Sequence, residues 1–250
     1  MARDRESLVW AEFGEVLRLP VDPERDYVHG IPWDAAKFMP ELPLVDIGSG
    51  SGLTTITLAE RFPQTEIISV EPEPLTRSLQ MLRIAERDDI RVRTTVLSES
   101  ILKAWLPEQC GGALLFNVIY FLAGSAREAF WRRMAQVMVP GAPILMSRSY
   151  GGVPAEAVER SMVQSATMGR MEYQRWFEAQ PVRDRRVEIT NTFRVLRDGE
   201  QVREVVSTIH AFGLDEDLVL GEVPIGQFGI EEIDDRYFAI RRLPDIRRRR

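Results

Sequence analysis

Five short apolar runs recur between residues 42 and 147, separated by stretches with helical spacing. They begin near Leu42 (Leu-Pro-Leu-Val-Asp-Ile), Glu66 (Glu-Ile-Ile-Ser-Val), Ile90 (Ile-Arg-Val-Arg-Thr-Thr-Val), Ala113 (Ala-Leu-Leu-Phe-Asn-Val-Ile) and Ala142 (Ala-Pro-Ile-Leu-Met-Ser). The first gap carries Leu53, Ile56, Leu58 and Phe62 before Pro63; the second carries Leu75, Leu79, Leu82 and Ala85 after Pro74, a good first-turn proline. Ala126, Phe130, Met134 and Val137 precede Pro140-Gly141, and residues 101–106 have room for only a short helix. Strands and helices alternating at this spacing predict an α/β fold: a doubly wound, mostly parallel sheet with helices on both faces and right-handed crossovers. In such sheets a ligand lies beyond the C-terminal ends of the strands, where strand order reverses.

The flanks follow other periods. Leu8, Val9, Phe13, Val16 and Leu17 share one helical face, and Pro20 stops the pattern. Residues 20–40 read as an irregular connection. Beyond the fifth run, 154–180 is mostly helical in pattern, with Met162, Met168, Met171, Tyr173, Trp176 and Phe177 as an apolar set for core packing or for roofing a pocket. Val187, Ile189, Phe193 and Val195 then alternate, Asp198-Gly199 supplies a tight turn and 202–210 returns as a β-hairpin. The end repeats the device with 228–233, a turn at Asp234-Asp235, and 237–240. The chain is expected to form one domain over 1–250. Its parts are an N-terminal helix and cap (1–40), a core (41–150), lid helices and a hairpin (151–212), C-terminal strands (213–243) and a basic tail (244–250).

With 250 residues and 44% hydrophobic side chains the chain can bury a substantial core. No apolar run approaches the roughly 20 residues of a membrane span, and the first residues lack a signal-peptide pattern. A single cysteine, Cys110, excludes an internal disulfide and points to a reducing compartment. We therefore expect a cytoplasmic protein without a membrane partner. A net charge of −6 opposes a nucleic-acid partner, and the arginines at 247–250 read as a solvated tail. The oligomeric state is left open, a homodimer included.

The first run ends in Asp46, followed by Gly48, Gly50 and Gly52 and then by the helical pattern from Leu53. Glycines at such a turn admit backbone conformations that a Cβ forbids and let a ligand lie against the main chain. A dinucleotide fingerprint, Gly-x-Gly-x-x-Gly, needs its third glycine one residue later, where Leu53 stands. An acid two residues before the first glycine has a different use: it can hold a ligand's ammonium group, directly or through water.

From Leu44 to about Gly152 the sequence resembles the core of the class I S-adenosylmethionine-dependent methyltransferases, whose fold is Rossmann-like with an antiparallel C-terminal strand. Their first motif, an acid, a hydrophobic residue and Gly-x-Gly-x-Gly, is matched by Asp46-Ile47-Gly48-Ser49-Gly50-Ser51-Gly52. The resemblance implies S-adenosylmethionine as cofactor, with this loop, Ser49 included, passing under its methionine and ribose. It implies Glu71, followed by Pro72, for the ribose hydroxyls, since one carboxylate accepts both donors of a diol. Glu99 and Ser100 are placed near the adenine, and Asn117, ending the fourth run, faces the methyl group and the acceptor. The helix ending Val139-Pro140-Gly141 also matches the family.

The implied reaction moves a methyl group from a positively charged sulfur to an oxygen or nitrogen nucleophile, for which the protein mainly aligns the partners. A small molecule, secondary metabolites among the candidates, is the expected acceptor. His29 and Tyr120 are the candidate catalytic residues, and His210 is a further histidine that can act as a base. Asn117-x-x-Tyr120 keeps the ends of the Asn/Asp-Pro-Pro-Tyr motif of some nitrogen-methylating relatives, but Val118 and Ile119 replace both prolines. Tyr27, Trp33, Tyr120, Phe121, Arg148 and Tyr150 are assigned to the acceptor pocket. No metal site is expected. The alternatives are a protein of the same fold that binds the cofactor without turnover and an NAD-dependent oxidoreductase, which Leu53 opposes.

Overall fold

The computed structural model describes residues 2–17, 28, 30–148, 156–183, 186–212 and 216–244. In chain order it begins with α1 (Ala2–Leu17), α2 (Trp33–Ala36), β1 (Leu44–Ile47), α3 (Leu53–Arg61), β2 (Ile67–Val70) and α4 (Pro74–Ala85). It continues through α5 (Asp88–Arg91), β3 (Thr94–Leu97), β4 (Gly112–Leu115), α6 (Gly124–Val137) and β5 (Pro143–Ser147). The last part comprises β6 (Val158–Met168), β7 (Met171–Pro181), β8 (Arg186–Arg197), β9 (Glu200–Phe212), α7 (Glu216–Gly221), β10 (Phe228–Glu232) and β11 (Tyr237–Arg242). No helix among the described residues is long and apolar enough to cross a membrane.

The chain divides into two compact units, one of residues 27–150 with 216–250, the other of 1–26 with 151–215. The larger unit holds a seven-stranded sheet in the order β10-β11-β5-β4-β1-β2-β3. The first five strands in sequence are parallel, and β11 lies antiparallel to β5. This is the doubly wound sheet expected from the alternation, and β1, between β4 and β2, is where the order reverses. Strands β1, β2, β4 and β5 are buried throughout, which is why they read as continuous apolar runs. The third run is a partial exception: Ile90 lies in α5, and only Thr94–Leu97 pairs with β2. Its β-branched residues carry the ladder, while Asp88 and Asp89 favour the first turn of a helix.

The smaller unit corrects the helical reading of 154–180. These residues form β6 and β7, the first half of a four-stranded antiparallel sheet in the order β6-β7-β8-β9. Tyr173, Arg175, Phe177 and Ala179 alternate on one face, but Arg175 interrupts the apolar series, and register shifts in β6 at Val158/Ser161 and Met162/Gln164 scramble its period. Met168 and Met171 pair across Gly169-Arg170, with Gly169 at φ 61°. The expected lid helices are absent from the described residues. The hairpin of β8 and β9 is as expected, Asp198 and Gly199 both taking positive φ.

Helix α1 belongs to this smaller sheet, not to a cap on the core. Its Val9, Phe13 and Leu17 cluster with Ala166, Phe193 and Val195, and Arg203 pairs with Glu12. Leu8, read as part of the buried stripe, is exposed.

Candidate functional site

At the C-terminal edge of the parallel sheet, four neighbouring strands deliver the segments marked in the sequence. Asn117 follows β4, the glycine turn follows β1, Glu71 follows β2 and Glu99 follows β3. Adjacent strands stand about 4.8 Å apart, so the four positions form a row across the sheet. The backbone ties the row together: Gly48 N–H and Ser49 N–H donate to Val70 O, and Glu71 N–H donates to Leu97 O.

All three glycines of the turn have positive φ, and two of them are also fixed by close packing. A Cβ on Gly48 would lie 2.3 Å from Val118 Cγ2, and one on Gly52 would lie 2.6 Å from Gln80 Cγ. At Gly50 the ideal Cβ meets nothing within 4 Å, so open space lies over this glycine at φ 56°. Gly52 precedes α3 directly, and the helix N-terminus therefore opens onto the turn.

Glu71 is buried and anchored. Gly50 N–H donates to its Oε2 at 2.7 Å and Glu73 N–H to its Oε1 at 2.8 Å. Each oxygen takes one backbone donor and keeps further lone-pair capacity, which suits a ligand presenting two hydroxyls. Burial pushes the carboxyl pKa up, the backbone donors and Arg77 pulling the other way.

Asp46 is only 2% exposed and faces the first turn of α3. Thr54 and Thr55 hydroxyls donate to the same oxygen, Oδ2, at 2.7 and 2.6 Å. Desolvation raises its pKa from 3.8 to about 6, against the two threonine hydrogen bonds and with a smaller contribution from the Glu71 charge.

Beneath the turn lies a polar network that sequence spacing gave no sign of, because its members come from β1's turn, α3, β2 and α4. Gln80 is fully buried; its Nε2 donates to Thr55 Oγ1 at 2.9 Å and to Ser69 Oγ. Ser69 donates to Ser49 Oγ at 2.7 Å, and Ser49 donates to Gln80 Oε1 at 3.2 Å. Assigning one proton per hydroxyl closes a ring, Gln80 to Ser69 to Ser49 to Gln80, with a branch through Thr55 to the Asp46 carboxylate. The ring holds Ser49 while the Gln80 stem fills the space that Gly52 leaves. A buried glutamine on an otherwise amphipathic α4 was the available signal.

The remaining sequence-marked residues divide. Asn117 sits at φ 58°, a conformation that asparagine tolerates better than most residues, and its N–H donates to Ser147 Oγ at 3.3 Å. Tyr120 and Phe121 lie in a short 3-10 turn directly after it; Phe121 is exposed and Tyr120 partly buried. Ser100 Oγ accepts from Leu102 N–H at 3.4 Å, and Glu99 is exposed beside it. Pro72 O accepts from Arg77 at 3.0 Å. Arg148 follows β5, pairs with Glu232 at 2.6 Å and stacks over Phe238 at 4.2 Å.

Trp33 is a correction. It packs on Phe38 and Phe62, and Phe38 closes on Gly112 at the start of β4, so Trp33 lies at the N-terminal edge of the sheet, away from the glycine turn. Aromatic identity alone does not distinguish a core wall from a pocket wall. His210 is exposed on β9 with Glu188 3.7 Å away across the ladder, in the smaller unit. Tyr27, His29, Tyr150 and the tail from 245 onward lie outside the described residues. Among the described residues no group of His, Cys, Asp and Glu side chains is arranged to hold a metal ion.

Sheet order, glycine turn and the acid at the end of β2 together give this chain the Rossmann-like fold of the class I S-adenosylmethionine-dependent methyltransferases. Among solved structures, an S-adenosylmethionine-dependent methyltransferase from Clostridium acetobutylicum is similar with a TM-score of 0.67 at 13% identity, over 97% of this chain and 99% of that one. DesVI from Streptomyces venezuelae also gives 0.67, at 12% identity over 97% and 94% of the two chains. The CcbJ methyltransferase from Streptomyces caelestis gives 0.64 at 13%, over 84% and 87%. At these identities the likeness is one of fold. No protein-family model and no curated protein sequence matches the chain.

Proposed function

We propose that the chain transfers a methyl group from S-adenosylmethionine to an oxygen or nitrogen nucleophile of a small molecule. The observation that carries this reading is the row along the sheet edge: Glu71 holding Gly50 N–H with acceptor capacity to spare, beside the open space over Gly50. That cradle fits a nucleoside whose ribose lies against the turn. When bound, the cofactor supplies an activated methyl group on a sulfonium, which becomes a neutral thioether as the acceptor gains the methyl group and gives up a proton.

The residues of this chain have separate tasks in that reading. Glu71 accepts the ribose hydroxyls, with Pro72 shaping the turn beside it. Gly48, Ser49, Gly50 and Gly52 form the floor, held from below by Gln80. Asp46 places negative charge near the amino-acid portion, and Glu99 with Ser100 borders the base. Asn117, in its left-handed conformation, stands at the methyl end, where Tyr120 and Phe121 are assigned to the acceptor side. Tyr120 and His29 are the proton-handling candidates, and Arg148, Tyr27 and Tyr150 complete the acceptor assignment. A nitrogen acceptor gains support from the fold-level likeness to the glycopeptide N-methyltransferase MtfA, whose structure was determined with S-adenosylmethionine (TM-score 0.55, 17% identity, 84% of each chain).

The test is calorimetric titration with S-adenosylhomocysteine, then incubation with methyl-labelled S-adenosylmethionine and small-molecule extracts. Binding that Glu71→Ala weakens at least tenfold, with label entering a small molecule, is the expected result. Absence of binding, or tight binding of NADH instead, refutes the reading.

A further inference from the structure

The face of the four-stranded sheet that packs against α1 is mostly apolar, with Arg203, paired to Glu12 of α1, at one end and a polar band across its middle. Along β8 it presents Val187, Ile189, Asn191, Phe193 and Val195; along β9, Arg203, Val205, Ser207, Ile209 and Ala211; along β7, Tyr173, Arg175, Phe177 and Ala179. β7 and β8 each break their series once, at Arg175 and Asn191, and β9 breaks at Ser207 as well as at Arg203; the register puts Arg175, Asn191 and Ser207 together. Asn191 is directly opposite Ser207, and Arg175 is opposite Phe193, one pair along from Asn191. Apolar clusters flank the band on both sides.

The band's N–H and O–H groups outnumber the acceptors they are bonded to. Arg175 Nε donates to Asn191 Oδ1 at 2.8 Å and its terminal nitrogen to Gln164 Oε1 at 3.0 Å, both neutral partners. No carboxylate among the described residues pairs with it, and the positions of β7, β8 and β9 on this face include no acid. Asn191 is fully buried, and its Nδ2 has no partner among the described residues; the same holds for the hydroxyl of Ser207, itself 6% exposed. The Trp10 ring lies 4.8 Å from the guanidinium and the Phe177 ring 5.8 Å, so an aromatic surface borders the charge. Burial lowers the Arg175 pKa to about 10, with no acid acting against it.

A partly buried guanidinium without a counter-ion is costly, and a buried amide N–H without an acceptor is more so. One carboxylate or phosphate group answers all of these needs, since it is acceptor-only, anionic and suited to the fork of an arginine. We infer that Arg175, Asn191 and Ser207 form a binding site for the anionic group of a small aromatic or apolar acid, whose ring system lies along Trp10 and Phe177. The site lies within the smaller unit, on its sheet and α1, and does not rest on the methyl-transfer reading.

The test titrates the full chain with benzoate, phenyl phosphate and neutral benzamide, with and without S-adenosylhomocysteine, the two anions separating a carboxylate from a phosphate source. Binding of at least one anion, none of benzamide, and at least about tenfold weaker binding by Arg175→Gln is expected. Asn191→Asp places a carboxylate against the guanidinium; it is expected to abolish anion binding while keeping or raising the melting temperature, which guards against a folding defect in the first variant. Failure of both anions to bind wild type, equal binding by Arg175→Gln, or unchanged binding by Asn191→Asp overturns the inference. Loss of anion binding with S-adenosylhomocysteine binding intact locates the effect here, whereas a chain that binds an anion but no S-adenosylhomocysteine counts against the proposed function only.

Discussion

Replacing Asp46 by asparagine separates the stability of the glycine corner from its binding role. The carboxyl pKa is about 6 in the folded chain against an ordinary 3.8. At about 1.4 kcal/mol per pKa unit, keeping this group ionised above pH 6 costs the native state about 3 kcal/mol. The folded protein thus holds the proton more tightly than the unfolded chain: the contribution to stability is fully present below pH 3.8 and is lost as pH rises through about 6. Asparagine resembles the neutral acid, because its Oδ1 still accepts from Thr54 and Thr55. Asp46→Asn is therefore expected to add up to about 3 kcal/mol at pH 8, a rise of roughly 6–12 °C in melting temperature, and almost nothing at pH 4. Scanning calorimetry at pH 4, 6 and 8, following the transition of the larger unit, measures it. The same variant is expected to bind S-adenosylhomocysteine more weakly. A variant less stable than wild type at pH 8, or a difference independent of pH, refutes the reasoning.

Three further outcomes follow from the same corner. Glu71→Gln keeps an acceptor for only one backbone donor at full strength and is expected to lower S-adenosylhomocysteine affinity at least tenfold by titration, the scale of hydrogen bonds to a charged group. Gln80→Met leaves Ser49, Ser69 and Thr55 without their shared partner; urea unfolding should show a loss of about 2–4 kcal/mol, and titration a weaker cofactor site because Ser49 is no longer held. Gly50→Ala and Gly52→Ala separate ligand space from packing. The first has open room but a positive φ, so it should fold at a cost of about 1–2 kcal/mol and lose cofactor affinity; the second collides with Gln80 and should lose stability by more than the first.

The corner was legible in the sequence because its chemistry is local. Asp46, Gly48, Gly50 and Gly52 lie within one turn, and burial on both faces turned β1, β2, β4 and β5 into apolar runs that need no partner to be recognised. The 19-residue spacing from Gly52 to Glu71 sufficed because a short helix must return the chain to the adjacent strand.

Where neighbours decide, the sequence misled or was silent. The stretch 154–180 has apolar residues at both helical and alternating spacings, and pairing with β8 selects the strand, since only there do Tyr173, Phe177 and Ala179 share a face with Val195, Asn191 and Ile189. Trp33 has the side chain of a pocket wall, but Phe38 and Phe62 draw it to the far edge of the sheet. Ser49, Thr55, Ser69 and Gln80 are ordinary polar residues spread over 32 positions, and the band of Arg175, Asn191 and Ser207 joins three strands. By itself the sequence determined the alternating sheet and the glycine corner, because both arise from periodicity and short-range conformation. Only the tertiary structure decided which distant polar groups share a buried volume, since hydrogen-bond partners and missing counter-ions exist only once separate strands are brought into register.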